Sequence, residues 1–375
     1  MRTKQTIDFC ARMESTGQAF LDKALGRTWA KLDQEKKLVI GYFGGSITEG
    51  AGASDPSSCW RSLTTAWFRQ QFPGAQITEI NAAIGGTGSD LGAFRCRRDL
   101  LDHHPDLVFV EFAVNDATAS LSTRPLYYEG VIRQILTTHP QADIVMVYTT
   151  SKAAETYSQG TVPPAVASEQ AIADHYQLPS VNIGKILWQA IQEGKGTWES
   201  LTQDGIHPND HGYRIYADAM ISFLQSHCND RAIPRGPFPA PLHSKPVENS
   251  SMIDAWIIDA PGWAREDQTL AGRYPHRIAT NVPGTELTFP FEGAAFGLYW
   301  LMAPDSGWIE WSIDNGPVKT TSAWDKYCLT FTRANFELCA EGLSPGPHLF
   351  HLKVSDRKDA ASTGNWIRIG ALLFH

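Results

Sequence analysis

The sequence predicts two folds in one chain: an α/β fold on a parallel sheet, followed by an all-β sandwich. Three observations carry that reading. Between Leu38 and Ser226, five short apolar runs alternate with stretches of helical length. A proline-dense segment then breaks the pattern, and beyond it short β-type runs recur between glycine, proline and asparagine turns. At 375 residues the chain is also too long for one ordinary core, so two domains are expected.

The elements follow in order. Residues 1–37 read as a helical N-terminal extension, with apolar Ile7, Ala11, Phe20, Leu21 and Leu25 at helical spacing. Strands are expected at Leu38–Phe43, Gln76–Ala82, Leu107–Ala113, Asp143–Thr149 and Ser180–Ile183. Helices are expected at Cys59–Gln71, Asp90–His103, Pro125–Thr138, Pro164–Tyr176, Lys185–Gln192 and Asp210–Ser226. Ser89-Asp90 and Asn209-Asp210 are N-cap types at two of these starts. Strands separated by helices make a doubly wound parallel sheet, and right-handed crossovers put helices on both faces. This domain spans residues 38–228.

Residues 229–250 read as a linker or a chain crossing a surface, because RAIPRGPFPAPLHSKP holds five prolines in sixteen residues and so lacks backbone donors. In residues 251–375, strands are expected at Ala255–Ile258, Glu286–Phe291, Ala295–Leu301, Trp308–Ile313, Tyr327–Phe331, His348–Val354 and Trp366–Leu373. Asp314-Asn315-Gly316 after an alternating strand is a hairpin signal. Regular short strands with such turns suggest an antiparallel, jelly-roll-like sandwich.

Composition narrows the function. A hydrophobic content of 42% and a charged content of 19% are globular values. The net charge of −8 argues against a broad nucleic-acid surface. The first twenty residues hold no apolar core of signal-peptide length, and no run approaches the ~18 to 20 apolar residues of a membrane span. Cys10, Cys59, Cys96, Cys228, Cys328 and Cys339 are scattered without a C-x-x-C pair, which speaks against a zinc site and a disulfide framework. Reduced thiols in a cytoplasmic protein is the expectation, with neither nucleic acid nor membrane as partner. Whether the chain forms a homo-oligomer stays open.

Four segments carry chemistry. Gly44-Gly45-Ser46-Ile47-Thr48 follows the first apolar run, so a buried strand ends in a tight turn that presents a hydroxyl where parallel sheets place their ligands. Asn81-Ala-Ala-Ile-Gly85-Gly86 follows the second strand, and the Gly86 N–H there suits a developing oxyanion. It also suits a phosphate, but no Walker lysine follows and G-x-G-x-x-G is absent. Asn115, just past the third strand, has an amide donor, while Asp116 beside it reads as a helix cap. Glu111 is odd inside an apolar strand and suggests a buried ion pair with an arginine of the helix at 90–103. Asp204-Gly-Ile-His207 lies on a loop, where a carboxylate three residues from an imidazole can fix its tautomer. An Asp-Gly turn before a helix accounts for that segment equally well. His211 falls on the following helix and is the poorer base.

Together, and in this order, these segments closely resemble the SGNH or GDSL-type hydrolase superfamily over residues 38–226. The resemblance implies a flavodoxin-like three-layer α/β/α fold. It implies Ser46 as nucleophile, Asp204 and His207 as its triad partners, and Ser46, Gly86 and Asn115 as the oxyanion hole. It implies no metal or organic cofactor. Two departures stand out: Gly45 replaces the usual Asp before Ser, and Ala113 replaces the Gly two residues before Asn. Neither is a triad position, so they are expected to affect pocket shape more than activity. A histidine base must start neutral, so activity is expected to fall on the acid side with an apparent pKa near ~6 to 7.

The superfamily covers many esters. Two features lean towards an O-acetylated oligosaccharide: the added β-domain, which resembles modules attached to sugar-active enzymes, and its tryptophans. Seven of the 12 fall there, at 256, 263, 300, 308, 311, 324 and 366. Trp300 and Trp366 read as core; Trp263, Trp308 and Trp324, beside Gly, Asp or Arg, read as surface candidates for stacking on sugar. Alternatives are a short-chain arylesterase, a thioesterase or lipase-like acylhydrolase, and a non-catalytic glycan-binding protein.

Overall fold

The computed structural model describes residues 25–117, 120, 122–231, 239–268, 276–329 and 332–375. The chain divides into two compact units between Glu248 and Asn249.

The first unit is built on five strands: β1 (Lys37–Gly44), β2 (Gln76–Asn81), β3 (Leu107–Glu111), β4 (Asp143–Val147) and β5 (Ser180–Val181). Their order is β2-β1-β3-β4-β5 and every pair is parallel, which is the flavodoxin-like order. The helices are α1 (Gly26–Glu35), α2 (Ser46–Glu49), α3 (Trp60–Gln71), α4 (Ser89–Asp99), α5 (Ala113–Asp116), α6 (Arg124–Thr138), α7 (Pro164–Tyr176), α8 (Ile183–Gln192), α9 (Trp198–Leu201) and α10 (Asp210–Ser226). Alternate residues of β1 serve two cores, as strand geometry requires. Leu38, Ile40 and Tyr42 join residues of α1, α3, α8 and α10 in one cluster. Phe43 points to the other face, where it meets Phe112 edge-on at 5.3 Å and Phe112 meets Tyr128 of α6 at 6.2 Å. Burial on both faces explains why β1, β3 and β4 read as continuous apolar runs rather than alternating ones.

Three expectations need correction here. The N-terminal extension lies outside the described residues up to residue 24, but its remainder is no appendage. Leu25, Trp29 and Leu32 are buried in the α/β core, and Asp143 at the start of β4 accepts from Thr28 N at 2.8 Å and Thr28 Oγ1 at 2.9 Å. The proline-rich stretch is not a free linker along its whole length. Glu129 of α6 accepts from the backbone N–H groups of Leu242 and His243, and Val247 N donates to Leu126 O at 3.0 Å. Residues 232–238 lie outside the described residues. Ser89 is the first residue of α4 rather than its cap, whereas Asn209 caps α10 as expected, accepting from His211 N and Gly212 N.

The second unit holds β6 (Ser251–Asp254), β7 (Ala264–Asp267), β8 (His276–Thr280), β9 (Glu286–Glu292), β10 (Phe296–Met302), β11 (Trp308–Ile313), β12 (Lys319–Ser322), β13 (Arg333–Ala340), β14 (Pro347–Val354) and β15 (Ile367–Phe374). One sheet runs β13-β10-β15-β8-β7 with β6 paired to β15; the other runs β12-β11-β14-β9. All pairs are antiparallel. Residues from both sheets, among them Phe296, Trp300, Trp311 and Phe350, share one core, which makes the unit a sandwich. The hairpin at 314–316 forms as expected: Asp314 takes φ 53° and Gly316 N bonds Ile313 O at 2.9 Å. Two expected strands are instead 3₁₀ turns, at Ala255–Ile257 and Lys326–Leu329. Both are short apolar runs whose period cannot separate strand from helix.

Candidate active site

Every segment singled out in the α/β unit ends at the carboxyl edge of the parallel sheet. Ser46 begins α2 directly after β1. Its N–H sits at the first helical residue, where a helix supplies no internal acceptor. The turn is anchored by Tyr213 of α10, whose hydroxyl lies 3.0 Å from Ile47 O and 2.6 Å from Ala51 O. Gly86 lies after β2 with φ 74°, a conformation that favours glycine, and a Cβ there would meet nothing within 4 Å. The N–H of its neighbour Gly85 is taken up by Glu49 Oε2 at 3.0 Å, which ties that turn to α2.

The loop before α10 brings Asp204 and His207 to Ser46. It closes on itself through Gln203 N to His207 O at 2.8 Å, and Gly205 takes φ 82° at its bend. Asp204 Oδ1 accepts from Ile206 N at 3.0 Å and His207 N at 2.8 Å, an Asx turn that orients the carboxylate. Its Oδ2 lies 2.7 Å from His207 Nδ1, and His207 Nε2 lies 2.8 Å from Ser46 Oγ. Partial burial works to raise the Asp204 carboxyl. The His207 backbone and ring and the Ile206 N–H outweigh that and hold it below the ordinary range. An ionised Asp204 accepts a hydrogen bond from Nδ1–H and so keeps the ring proton there, which leaves Nε2 as acceptor for the Ser46 hydroxyl. Gly52, at φ 96°, lets the loop after α2 pass close by: a Cβ there would stand 2.3 Å from Pro208 O and 3.2 Å from His207 Cβ.

Asn115 lies in α5, just past β3, and its carbonyl accepts from Arg124 Nη1 at 2.7 Å. Asp116 is a cap, but for α4 rather than for the segment after it. It accepts from Ser89 N at 2.8 Å and Ser89 Oγ at 2.5 Å and pairs with Arg124 at 2.9 Å. His211 is an exposed residue in the first turn of α10.

Glu111 forms no ion pair with an arginine of α4. Arg95, the arginine buried there, donates instead to the carbonyls of Ala82 and Gly44, and its guanidinium covers the Phe43 ring at 4.4 Å. The Glu111 carboxylate takes up Thr48 Oγ1 at 2.7 Å and Thr149 Oγ1 at 2.5 Å. Burial pushes this carboxyl up, and those donors pull it only partway back. Glu49, Gly52 and Tyr213 shape the site and escaped the sequence reading, while Glu111 was singled out but given the wrong partner. A carboxylate inside an apolar strand and the Gly50-Ala51-Gly52 cluster were the available signals.

In the second unit the three tryptophan candidates part company. Trp263 is buried in the sandwich core with its indole N–H donated to Glu286 O at 2.9 Å, so it is no surface platform. Trp308 and Trp324 are half-buried and flank one polar group. Trp308 Nε1 donates to Asp359 at 2.8 Å, Ser322 Oγ donates to the same carboxylate at 2.6 Å, and Trp324 N donates to Ser322 Oγ at 3.1 Å. Arg357 covers the Trp308 ring at 4.4 Å. Trp300 is core as expected, but Trp366 is half-buried just before β15. Among the described residues, no group of three or more His, Cys, Asp or Glu side chains is placed to hold a metal.

A doubly wound sheet with a Ser-His-Asp line at its carboxyl edge has the arrangement that acyl transfer requires. Residues 42–215 match the GDSL-like Lipase/Acylhydrolase family. Among solved structures, a two-domain esterase (CEX) active on acetylated mannans, co-crystallised with mannopentaose, is similar in fold. It shares 24% identity at a TM-score of 0.80, covering 94% of this chain and 95% of that one. A second structure of a two-domain esterase (CEX) active on acetylated mannans matches at 23% identity and a TM-score of 0.81, with the same coverage. No curated protein sequence matches the chain.

Proposed function

We propose that this protein is a serine esterase that removes acetyl groups from O-acetylated oligosaccharides. The observation that carries the reading is the unbroken line from Ser46 Oγ through both ring nitrogens of His207 to Asp204. His207 Nε2 takes the Ser46 proton as Oγ attacks the ester carbonyl. The oxyanion is stabilised by the N–H groups of Ser46 and Gly86 and by the Asn115 amide. His207 returns the proton to the departing sugar oxygen, leaving an acetyl-enzyme. Water, deprotonated by His207, then attacks the acetyl carbon and releases acetate.

The sugar substrate is supported by the fold shared with an esterase active on acetylated mannans and by the half-buried Trp308 and Trp324 beside Asp359. A cytoplasmic site of action belongs to the same proposal. Cys59, Cys96, Cys328 and Cys339 form no disulfides, and cell fractionation tests the location.

The deciding experiment compares acetate release from acetylated manno- and xylo-oligosaccharides with initial rates on p-nitrophenyl acetate, butyrate and octanoate. Ser46→Ala is the control. Acetate release from sugar, with steep loss beyond short acyl chains and none from Ser46→Ala, is the expected result. Good turnover of octanoate with untouched sugars moves the substrate to lipids or thioesters. Full turnover by Ser46→Ala refutes the mechanism.

A further inference from the structure

The turn carrying Ser46 is approached from two sides by residues at the end of one strand. On one side, a Cβ at Gly44 would stand 2.5 Å from Glu111 O and 3.0 Å from Glu111 Oε2. On the other, a Cβ at Gly45 would stand 2.0 Å from Asn115 Oδ1 and 3.0 Å from Asn115 Cγ. Separations below 3.0 Å are not found for real Cβ atoms. The reason for glycine differs along the chain. Gly52 and Gly86 have φ of 96° and 74°, where side chains are strained whatever the space. Gly45 has φ −95° and ψ −153°, an extended conformation open to any residue. Space alone requires glycine at 45, and the atoms that fill the space belong to the Asn115 amide.

Asn115 has little freedom to yield. Its carbonyl is held by Arg124 Nη1 at 2.7 Å, and the next residue, Asp116, is bound to both Arg124 and Ser89. Both Arg124 and Asp116 are buried. The backbone at 115 is therefore braced, and a side chain at 45 displaces the amide rather than the helix.

We propose that Gly45 is a positioning residue: its missing side chain is the slot that seats the Asn115 amide against the Ser46 turn. The residue at 45 then governs turnover rather than substrate binding. This inference rests on the oxyanion role proposed for Asn115. A methyl at 45 forces the amide back by about 1 Å or more, and a misplacement of that order costs about 100-fold in rate. Loss of the donor altogether costs about 100- to 1000-fold.

The test is a double-mutant cycle with p-nitrophenyl acetate, measuring kcat and KM for wild type, Gly45→Ala, Asn115→Ala and the double variant, with thermal unfolding of each. Gly45→Ala is expected to lower kcat about 100-fold with KM within about twofold. In the Asn115→Ala background the same change is expected to cost less than about threefold, because the two nearest atoms, both of the Asn115 amide, are gone and the next, Thr87 O, stands at 3.3 Å. Multiplying effects overturn the inference, as they place the action of Gly45 on the turn itself. Wild-type kcat for Gly45→Ala beside an impaired Asn115→Ala also overturns it. Wild-type kcat for Asn115→Ala instead removes the oxyanion reading on which it rests. If Gly45→Ala alone does not fold, the double variant decides. Folding with the kcat of Asn115→Ala supports the slot, and failure to fold overturns it.

Discussion

Replacing Glu111 with alanine is expected to weaken both the fold and the reaction, and the structure sets the scale. The carboxylate is 1% exposed and serves two donors, the hydroxyls of Thr48 and Thr149. Thr48 and Thr149 are themselves buried, so no solvent replaces the lost acceptor. Each buried donor left without an acceptor costs about 1–3 kcal/mol, so Glu111→Ala is expected to lose about 2–6 kcal/mol. Relief of a buried charge opposes this, but the orphaned donors remain once the charge is gone. Against a typical domain stability of about 5–15 kcal/mol the change is large. Thr48 lies in the short helix that begins at Ser46, so the turn shifts and kcat is expected to fall about 100-fold. Glu111→Gln, which keeps one acceptor oxygen, is expected to lose less of both. Urea unfolding and p-nitrophenyl acetate kinetics measure the two effects. Stability within about 0.5 kcal/mol of wild type, together with unchanged kcat, refutes the reasoning.

Two further predictions concern carboxylates of opposite character. Asp204→Asn keeps the shape of the loop but removes the charge that fixes the imidazole. It is expected to lower kcat by about 1,000- to 10,000-fold in steady-state kinetics, with KM little changed. Because the Asp204 carboxyl is held below the ordinary range, it stays ionised through the acid fall in activity; a pH–rate profile whose acid limb vanishes in Asp204→Asn contradicts that. Glu169 of α7 is 2% exposed, and neither carboxylate oxygen has a hydrogen-bond partner. Burial, with the nearby Asp116 charge, raises its pKa well above the ordinary carboxylate range. The folded chain therefore holds that proton more tightly than the unfolded chain. Stability from this group is fully present below about pH 4.3 and is lost as pH rises through the raised pKa. Glu169→Met is expected to stabilise the protein by about 1–3 kcal/mol at pH 8 and by progressively less towards pH 4, read from urea midpoints across that range.

The parallel sheet was legible in the sequence because burial on both faces leaves a strand no polar position. The runs at 38–43, 107–113 and 143–149 are therefore unmistakable, and the observed strands fall inside or within a residue of them. Helices α7 and α10 match their expected bounds at both ends because Pro164 and the Asn209 cap set their starts. The sandwich was harder. Five of its strands, β6, β7, β8, β12 and β13, were not expected. Ala264–Asp267 and Lys319–Ser322 are polar edge strands that form because a neighbour offers a ladder.

Residue types and their order along the chain single out Ser46, Gly86, Asn115, Asp204 and His207 as candidates, because chemistry restricts which side chains can serve and the loops after strands are where a parallel sheet presents them. Distance was not in the sequence. Ser46 and His207 are 161 residues apart, and only the fold brings their side chains to 2.8 Å. The partners of buried polar groups were likewise undecidable beforehand. Glu111 needed an acceptor's companions, and an arginine and a set of hydroxyl and backbone donors satisfied that need equally well on paper. Tertiary packing chose the second by turning Arg95 onto Phe43 and two backbone carbonyls, and by closing Thr48 and Thr149 on the carboxylate. The same holds for Trp263, whose place in the core follows from which face of the sandwich closes over it, a property of the assembled sheets and not of its neighbours in sequence.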